Sequence, residues 1–209
     1  MESLPALAVW GPLGIWAIVV TGAVIVLYKE LGKSRDACVA ETARLRLRWL
    51  DDGDTVFILR LVNEPSWIRY IGDRNVRSVE DAQRYLREGP VAMYERLGFG
   101  LNLVESKATG EPLGICGLLR RDTLEHVDLG FAFVPGAWGQ GYAQESAAAV
   151  LEHGRRGLGV GTIVAIVSPD NERSCRLLGK LGFRLDRRVR LAPGDDELEL
   201  YVATARGAC

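Results

Sequence analysis

A glycine-rich turn separates a predicted strand from a predicted helix in the second half of the chain. It reads Val134-Pro135-Gly136-Ala137-Trp138-Gly139-Gln140-Gly141-Tyr142-Ala143. The first N–H groups of a helix lack internal partners, and the helix dipole favours an anion there. Because Gly139 and Gly141 have no Cβ, a pyrophosphate could approach this backbone closely. The turn therefore predicts an anion site, with a plain connection between two elements as an equal alternative.

Composition and the remaining reactive side chains exclude other kinds of site. The chain has 26 Lys plus Arg against 27 Asp plus Glu, a net charge of −1, whereas nucleic-acid-binding domains are usually strongly basic. Its four cysteines and two histidines show no metal-site spacing, so no metal is expected. The glycine-rich turn lacks Gly-Lys-Ser/Thr and does not read Gly-x-Gly-x-x-Gly, which excludes the two common nucleotide-binding loops.

The turn resembles a motif of the GNAT N-acyltransferase superfamily. The family's pyrophosphate loop reads Arg/Gln-x-x-Gly-x-Gly/Ala, and the matching residues are Trp138-Gly139-Gln140-Gly141-Tyr142-Ala143. Trp138 departs from Arg or Gln, but an aromatic residue there is similar to the ribosomal-protein N-terminal acetyltransferase-like branch. Further matches are Asp128-x-Gly130-Phe131-Ala132-Phe133, Gly141-Tyr142-Ala143-x-Glu145, Asn171-x-x-Ser174 and Leu181-Gly182-Phe183. The resemblance extends over about residues 41–204.

This resemblance implies an α+β domain of the GNAT (acyl-CoA N-acyltransferase) fold, whose mixed central sheet contains two splayed strands. It places acetyl-CoA, a co-substrate, in the wedge between residues 127–134 and 162–167. Backbone groups of the first strand would pair with the pantetheine arm, and amides of the turn would hold the pyrophosphate. The implied binding residues are Phe133, Val134, Trp138, Gly139, Gln140, Gly141, Tyr142, Ala143 and Asn171. For Asn171, a helix N-cap after Pro169-Asp170 is also physically sound.

The resemblance further implies direct attack of an amine on the thioester. An alkylamine is mostly protonated at neutral pH, so a base must accept a proton, and the leaving thiolate benefits from a hydrogen-bond donor. Asp128 is the candidate base, with an ion pair to Arg120 or Arg121 as the alternative interpretation. Ser174 is the candidate donor, with a solvent-facing hydroxyl as the alternative. Glu199 is a weaker candidate base.

Two functions follow from this interpretation. The first is an N-acetyltransferase that moves acetyl from acetyl-CoA to a primary amine, which could be a peptide N-terminus, an amino acid or a small amine. The alternative is a catalytically inactive, membrane-tethered module that senses coenzyme A. A helical region with Trp67, Tyr70 and Ile71 is expected to border the acceptor pocket. Nearby arginines could bind an acidic acceptor or form a solvated basic face: Arg69, Arg74 and Arg77.

Hydrophobic periodicity predicts alternating strands and helices that build one mixed sheet. Ser78 and Asp81 form a predicted capping box, and Gly89-Pro90 is predicted to end that helix. The predicted strands are 44–49, 99–105, 112–119, 127–134, 161–167, 183–189 and 197–202. The predicted helices are 55–63, a short one from Pro65, 78–87, 144–156 and 171–181.

The start of the chain differs from the rest. Residues 4–28 are 25 residues without one charge, long enough for a helix to span a membrane. Residues 1–28 are therefore predicted to be a transmembrane anchor, 29–40 a linker and 41–209 the acetyltransferase domain. Basic residues follow the span and none precedes it, so the positive-inside rule predicts a single-pass protein with a cytoplasmic catalytic domain. A translation start at Val39, which would omit the leader, remains an alternative.

Overall fold

The computed structural model describes residues 18–20, 23–25 and 38–204 of the 209-residue chain. Its contacts divide the chain into two units, at residues 1–34 and 35–209. In the first unit, strand β1 (Ile18–Val20) pairs antiparallel with strand β2 (Ala23–Ile25). Five of these six residues are β-branched and favour extended backbone. Because they form strands, the predicted continuous helix is wrong at these six positions. The rest of the predicted 4–28 span lies outside the described residues.

Among the described residues, no helix combines the length and the apolar composition needed to cross a bilayer.

The second unit is one eight-stranded sheet with helices on both faces. Its strands are β3 (Cys38–Glu41), β4 (Leu45–Trp49), β5 (Leu101–Ser106), β6 (Pro112–Leu119), β7 (Val127–Phe133), β8 (Thr162–Val167), β9 (Arg184–Val189) and β10 (Leu198–Thr204). Its α-helices are α1 (Thr55–Val62), α2 (Pro65–Tyr70), α3 (Val79–Leu86), α4 (Ala92–Leu97), α5 (Tyr142–Arg156) and α6 (Glu172–Lys180). The sheet order is β3-β4-β5-β6-β7-β8-β10-β9. All neighbours are antiparallel except the pair β7 and β8, so the predicted mixed sheet is confirmed.

Local signals explain some of the helix ends. The predicted capping box is present, because Ser78 accepts from the Asp81 N–H and Asp81 accepts from the Ser78 N–H. The predicted stop at Gly89-Pro90 is wrong. The chain stays helical, because a π-helical segment, Arg87–Val91, connects α3 to α4. In a π-helical turn the backbone hydrogen bonds are shifted by one residue, which makes room for the proline ring of Pro90. Helix α4 ends instead at Leu97, because Gly98 follows with a φ of 75°, a left-handed backbone conformation that glycine adopts without steric cost.

Two apolar clusters hold the helices on the sheet. One lies between the sheet and α5 and α6, and includes Leu47, Leu129, Phe133, Ala147 and Leu178. The other lies between the sheet and α1, α2 and α3, and includes Ile58, Leu61, Trp67, Leu86 and Ile115. Successive side chains of a strand alternate between faces. Because Leu129 and Phe133 of β7 face α5, Asp128 faces the opposite side of the sheet.

Candidate active site

The central sheet opens between its only two parallel neighbours among the described strands. β7 and β8 pair at Val127 with Ile163 and at Asp128 with Val164, and their pairing stops there. On its other edge β7 stays paired with β6 up to Phe133, and β8 stays paired with β10 up to Val167. Phe133 lies five positions after Asp128, roughly 16 Å along the strand at about 3.3 Å per residue. The result is a wedge, open at one end and closed beside Asp128.

The glycine-rich turn lies at the open end of this wedge. A 3-10 turn, Pro135–Ala137, follows β7, and α5 begins at Tyr142. Gly139 and Gly141 have φ of 74° and 81°, backbone conformations that L side chains rarely adopt. No side chain caps the start of α5, so its first N–H groups are available to an anion. The turn therefore has the geometry of an anion cradle.

Arg44 fixes the position of this cradle, a role that its place in an alternating strand pattern did not reveal. Its Nη1 donates to the carbonyl oxygen of Gln140 at 3.0 Å, and its Nε donates to Oε2 of Glu145 at 2.7 Å. The guanidinium also lies 4.6 Å from the ring centre of Tyr142. Hydrogen bonds from the Thr42 hydroxyl and the Arg44 N–H to Glu145 complete the cluster. The residues before β4 thus hold the turn and the first turn of α5 together.

Trp138 links the cradle to the end of β7. Its Nε1 donates to the carbonyl oxygen of Phe133 at 2.8 Å, and the Arg173 guanidinium lies 5.1 Å from its ring centre. The N–H of Val134 donates to the Leu113 carbonyl on β6. One carbonyl lone pair of Phe133 and the N–H of Val134 are therefore engaged within the domain. The Val134 N–H is therefore not available to a pantetheine arm, and the Phe133 carbonyl can accept one further hydrogen bond.

Asn171 and Ser174 lie where α6 begins, just beyond the end of β8. Oδ1 of Asn171 accepts from the Ser174 N–H at 3.2 Å, so the N-cap interpretation is correct. The Nδ2 donors of Asn171 and the Ser174 hydroxyl make no hydrogen bond with the described residues. One side chain can therefore cap the helix and still present its amide N–H groups to a ligand.

Asp128 lies buried at the closed end of the wedge. Its side chain is 1% exposed, and Oδ2 accepts from Nε of Arg121 at 2.6 Å. Oδ1 has no hydrogen-bond partner among the described residues. Burial raises the pKa of Asp128, and the Arg121 guanidinium and the nearby Ile166 N–H lower it by less. The ion-pair interpretation is thus correct for Arg121, and one carboxylate oxygen remains available. Arg120 instead donates to the Glu125 carbonyl.

The two candidate catalytic residues belong to opposite faces of the sheet. Ser174 begins the helix that packs with α5, whereas Asp128 faces the side of α1, α2 and α3. A molecule that lies in the opening between β7 and β8 is accessible from both sides. A base on one face and a hydrogen-bond donor on the other suit acyl transfer, in which the attacking nitrogen loses a proton and the leaving sulfur gains negative charge.

The predicted acceptor region forms one wall on the Asp128 side. Trp67 is buried in the core, whereas Ile71 is exposed. Arg69 pairs with Asp170 at 2.8 Å, which ties α2 to the loop before α6. Arg77 pairs with Asp73 and donates to Oδ1 of Asn63. Two of the three arginines noted in the sequence are therefore held in ion pairs.

Glu199, the weaker candidate base, belongs to a separate cluster. Its Oε2 accepts from the Tyr201 hydroxyl at 2.9 Å and lies 3.8 Å from Sγ of Cys175. Burial raises the pKa of the Cys175 thiol, and Glu199 raises it further. This keeps Cys175 protonated, so it is poorly suited to act as a nucleophile.

Comparison with known proteins agrees with this arrangement. The family model "Acetyltransferase (GNAT) domain" matches residues 44–184. The Bacillus subtilis N-acetyltransferase YoaA is 31% identical over 153 residues, which cover 73% of this chain and 86% of YoaA. The family match includes β7, the glycine-rich turn, β8 and α6.

Solved structures share the fold. An acetyltransferase from Agrobacterium tumefaciens has a TM-score of 0.67 and 26% identity, covering 79% of this chain and 94% of that one. RimL, a ribosomal L7/L12 alpha-N-protein acetyltransferase solved in complex with coenzyme A, has a TM-score of 0.69 and 19% identity, covering 80% and 97%. At that identity the likeness to RimL shows the fold alone.

Proposed function

The chain belongs to the acetyltransferase (GNAT) domain family, and we propose that it moves an acetyl group from acetyl-CoA to a primary amine by direct attack. The wedge between β7 and β8 carries this proposal, because it ends beside a buried carboxylate that has one oxygen without a partner. The family is one of acetyltransferases, so the chain is an enzyme of the acyltransferase class. The comparisons give no support to the alternative of an inactive sensor module.

In this proposal acetyl-CoA lies along the wedge. The pyrophosphate binds the amides from Gly139 to Ala143, where helix α5 begins without a cap. The Asn171 amide, whose Nδ2 is not otherwise engaged, donates to the pantetheine arm. The thioester then lies toward the closed end, within reach of both faces of the sheet. The complex of RimL with coenzyme A supports this choice of co-substrate through a shared fold.

In this proposal the two faces of the sheet supply different groups to the acetyl transfer, a base on one face and a hydrogen-bond donor on the other. The amine enters from the α1–α3 side and gives a proton to Oδ1 of Asp128, directly or through water, as its nitrogen bonds to the thioester carbonyl carbon. The bond from carbon to sulfur then breaks, and the Ser174 hydroxyl donates a hydrogen bond to the departing thiolate. The raised pKa of Asp128 suits a general base, since a base works best when its pKa is near the working pH.

Turnover of the full chain tests the proposal. Acetyl-CoA is mixed with peptide N-termini, amino acids and small amines, thiol release is followed, and the acetylated product is identified by mass. We expect thiol release that requires an amine and gives a product heavier by one acetyl group. Binding of acetyl-CoA without turnover on any amine would contradict the proposal.

We propose separately that residues 4–28 hold the enzyme at a membrane with the catalytic domain in the cytoplasm. The uncharged run and the basic residues that follow it support this: Lys29, Lys33 and Arg35. Fractionation of cells that express the full chain tests the idea. Recovery with the membranes after an alkaline wash is expected, and full recovery in the soluble fraction would contradict it.

A further inference from the structure

Four polar groups on the α2 and α3 side of the sheet lack a hydrogen-bond partner within residues 38–204. Two of them are buried atoms, Nε1 of Trp67 and Oδ1 of Asp128. Trp67 is only 5% exposed. The other two are the Tyr85 hydroxyl and the Arg74 guanidinium, which make no hydrogen bond or ion pair in that range. A buried polar atom without a partner costs about 1–3 kcal/mol, so the Trp67 and Asp128 atoms are candidates for contact with a ligand. Arg74 is exposed, and its guanidinium is available to a ligand from solvent.

Three of these groups belong to one wall, and Arg74 lies in the exposed loop between α2 and α3. Trp67 on α2 and Tyr85 on α3 pack in the apolar cluster that covers the face of the sheet to which Asp128 points. Arg121 joins this wall through its ion pair with Asp128. Burial raises the pKa of Tyr85, and both Arg74 and Arg121 lie near enough to lower it in part. Tyr85 is therefore near two guanidinium groups, that of Arg74 and that of Arg121, and Arg121 pairs with Asp128 at the closed end of the wedge.

Of the arginines on α2, on α3 and in the loop between them, one is left without a carboxylate partner among residues 38–204. Asp170 is neutralised by Arg69, and Asp73 is neutralised by Arg77. Arg121 is already committed to Asp128. Arg74, between the paired arginines in the sequence, has no described carboxylate partner. This side of the sheet thus offers a ligand two groups of opposite charge, a buried carboxylate oxygen and an exposed guanidinium.

We propose that the acceptor carries a carboxylate as well as its reacting amine. This inference rests on the proposed acetyl transfer. The amine donates to Oδ1 of Asp128, and the carboxylate binds Arg74, since a planar guanidinium suits a carboxylate in a two-point contact. The Tyr85 hydroxyl and the Trp67 N–H serve as neutral donors between them. The substrate class is therefore the amino acids, in the broad sense of an amine and an acid on one small molecule.

A series of matched acceptors tests the inference. Glycine, β-alanine and 4-aminobutyrate are each compared with their neutral amides, and kcat/KM is measured with the full chain. For the best chain length we expect the acid to exceed its amide by about tenfold or more, the effect of one hydrogen bond to a charged group. In Arg74→Gln this preference should fall close to unity, whereas Arg74→Lys should keep part of it.

Arg84→Gln is the matched control, because Arg84 is an exposed arginine on α3 that pairs with Asp81. It should leave the preference unchanged. Acetyl-CoA affinity, measured for each variant, confirms that the protein is folded. Equal use of acids and amides, or a preference that survives Arg74→Gln, overturns this inference while acetyl transfer stands. Absence of turnover on every amine would instead remove the proposed function on which it rests.

Discussion

Arg121 and Asp128 are joined by one hydrogen-bonded ion pair, 2.6 Å from Nε to Oδ2, that leaves Oδ1 of Asp128 buried and without a partner among the described residues. The pair is asymmetric in exposure, since Asp128 is 1% exposed and Arg121 33%. A carboxylate in this position is held in place on one side and can accept a proton on the other.

Asp128→Asn should abolish most of the turnover and leave acetyl-CoA affinity unchanged. An amide cannot accept the proton of the amine, and a positioned base contributes about 10²–10⁴-fold to rate. Steady-state kinetics and calorimetric binding measure the two effects. Asp122→Asn, which changes an exposed acid of the adjacent loop, is the control and should retain full activity. Equal activity of both variants would show that Asp128 is not the base.

The wild-type rate should fall as pH is lowered through the pKa of Asp128. Burial raises this pKa above the ordinary value of about 3.9, so the acid limb of kcat/KM should lie at higher pH than for an exposed aspartate. Arg121→Gln removes a group that lowers the pKa, and should move the limb to still higher pH. Arg120→Gln serves as the control, because Arg120 donates only to a backbone carbonyl. A limb that moves downward in Arg121→Gln would contradict this electrostatic account.

Ser174→Ala should lower kcat with little effect on the dissociation constant of acetyl-CoA. The hydroxyl is expected to donate only as negative charge forms on sulfur, and a hydrogen bond to a charged group contributes about 1.5–3 kcal/mol. That range corresponds to roughly ten- to a hundred-fold in rate. Single-turnover kinetics measure the step, with Ser106→Ala at the end of β5 as the control. An unchanged kcat would assign Ser174 to the helix alone.

Arg44→Gln should weaken acetyl-CoA binding by several-fold to about tenfold, a change of up to about 1.4 kcal/mol. The substitution removes the bonds that fix the Gln140 carbonyl and Glu145, so the cradle must be ordered when the ligand binds. Arg156→Gln breaks an exposed ion pair at the other end of α5 and should not alter affinity. Similar affinities for the two variants would mean that the cradle is rigid without Arg44.

The sequence predicted the parts of this molecule that depend on neighbouring residues. The capping box at Ser78, the helix that starts at Pro65 and the glycine-rich turn are local signals, and the structure has each of them. Strand β3 was not predicted, because its four residues become a strand only by pairing with β4. The contact of Arg44 with Glu145 joins residues 101 apart, a separation that no local pattern encodes.

Charge partners were the least predictable feature. Asp128 had two adjacent arginines as alternatives, and only the geometry of the β6–β7 connection selects Arg121. Likewise Arg69, Arg74 and Arg77 look equivalent as sequence, yet two are paired and Arg74 has no partner within residues 38–204. Side-chain pairing depends on how elements pack, and this explains why the acceptor wall could not be interpreted before the fold was known.

Calorimetric titration of acetyl-CoA into the full chain tests the central claim most directly, with Gly141→Glu and Gly110→Glu as a matched pair. Both glycines have positive φ, 81° and 72°, so both variants carry similar backbone strain, but only Gly141 lies in the cradle. The account predicts that the wild type and Gly110→Glu bind acetyl-CoA and that Gly141→Glu does not. Equal binding by Gly141→Glu and Gly110→Glu, or no binding by the folded wild type, would contradict it.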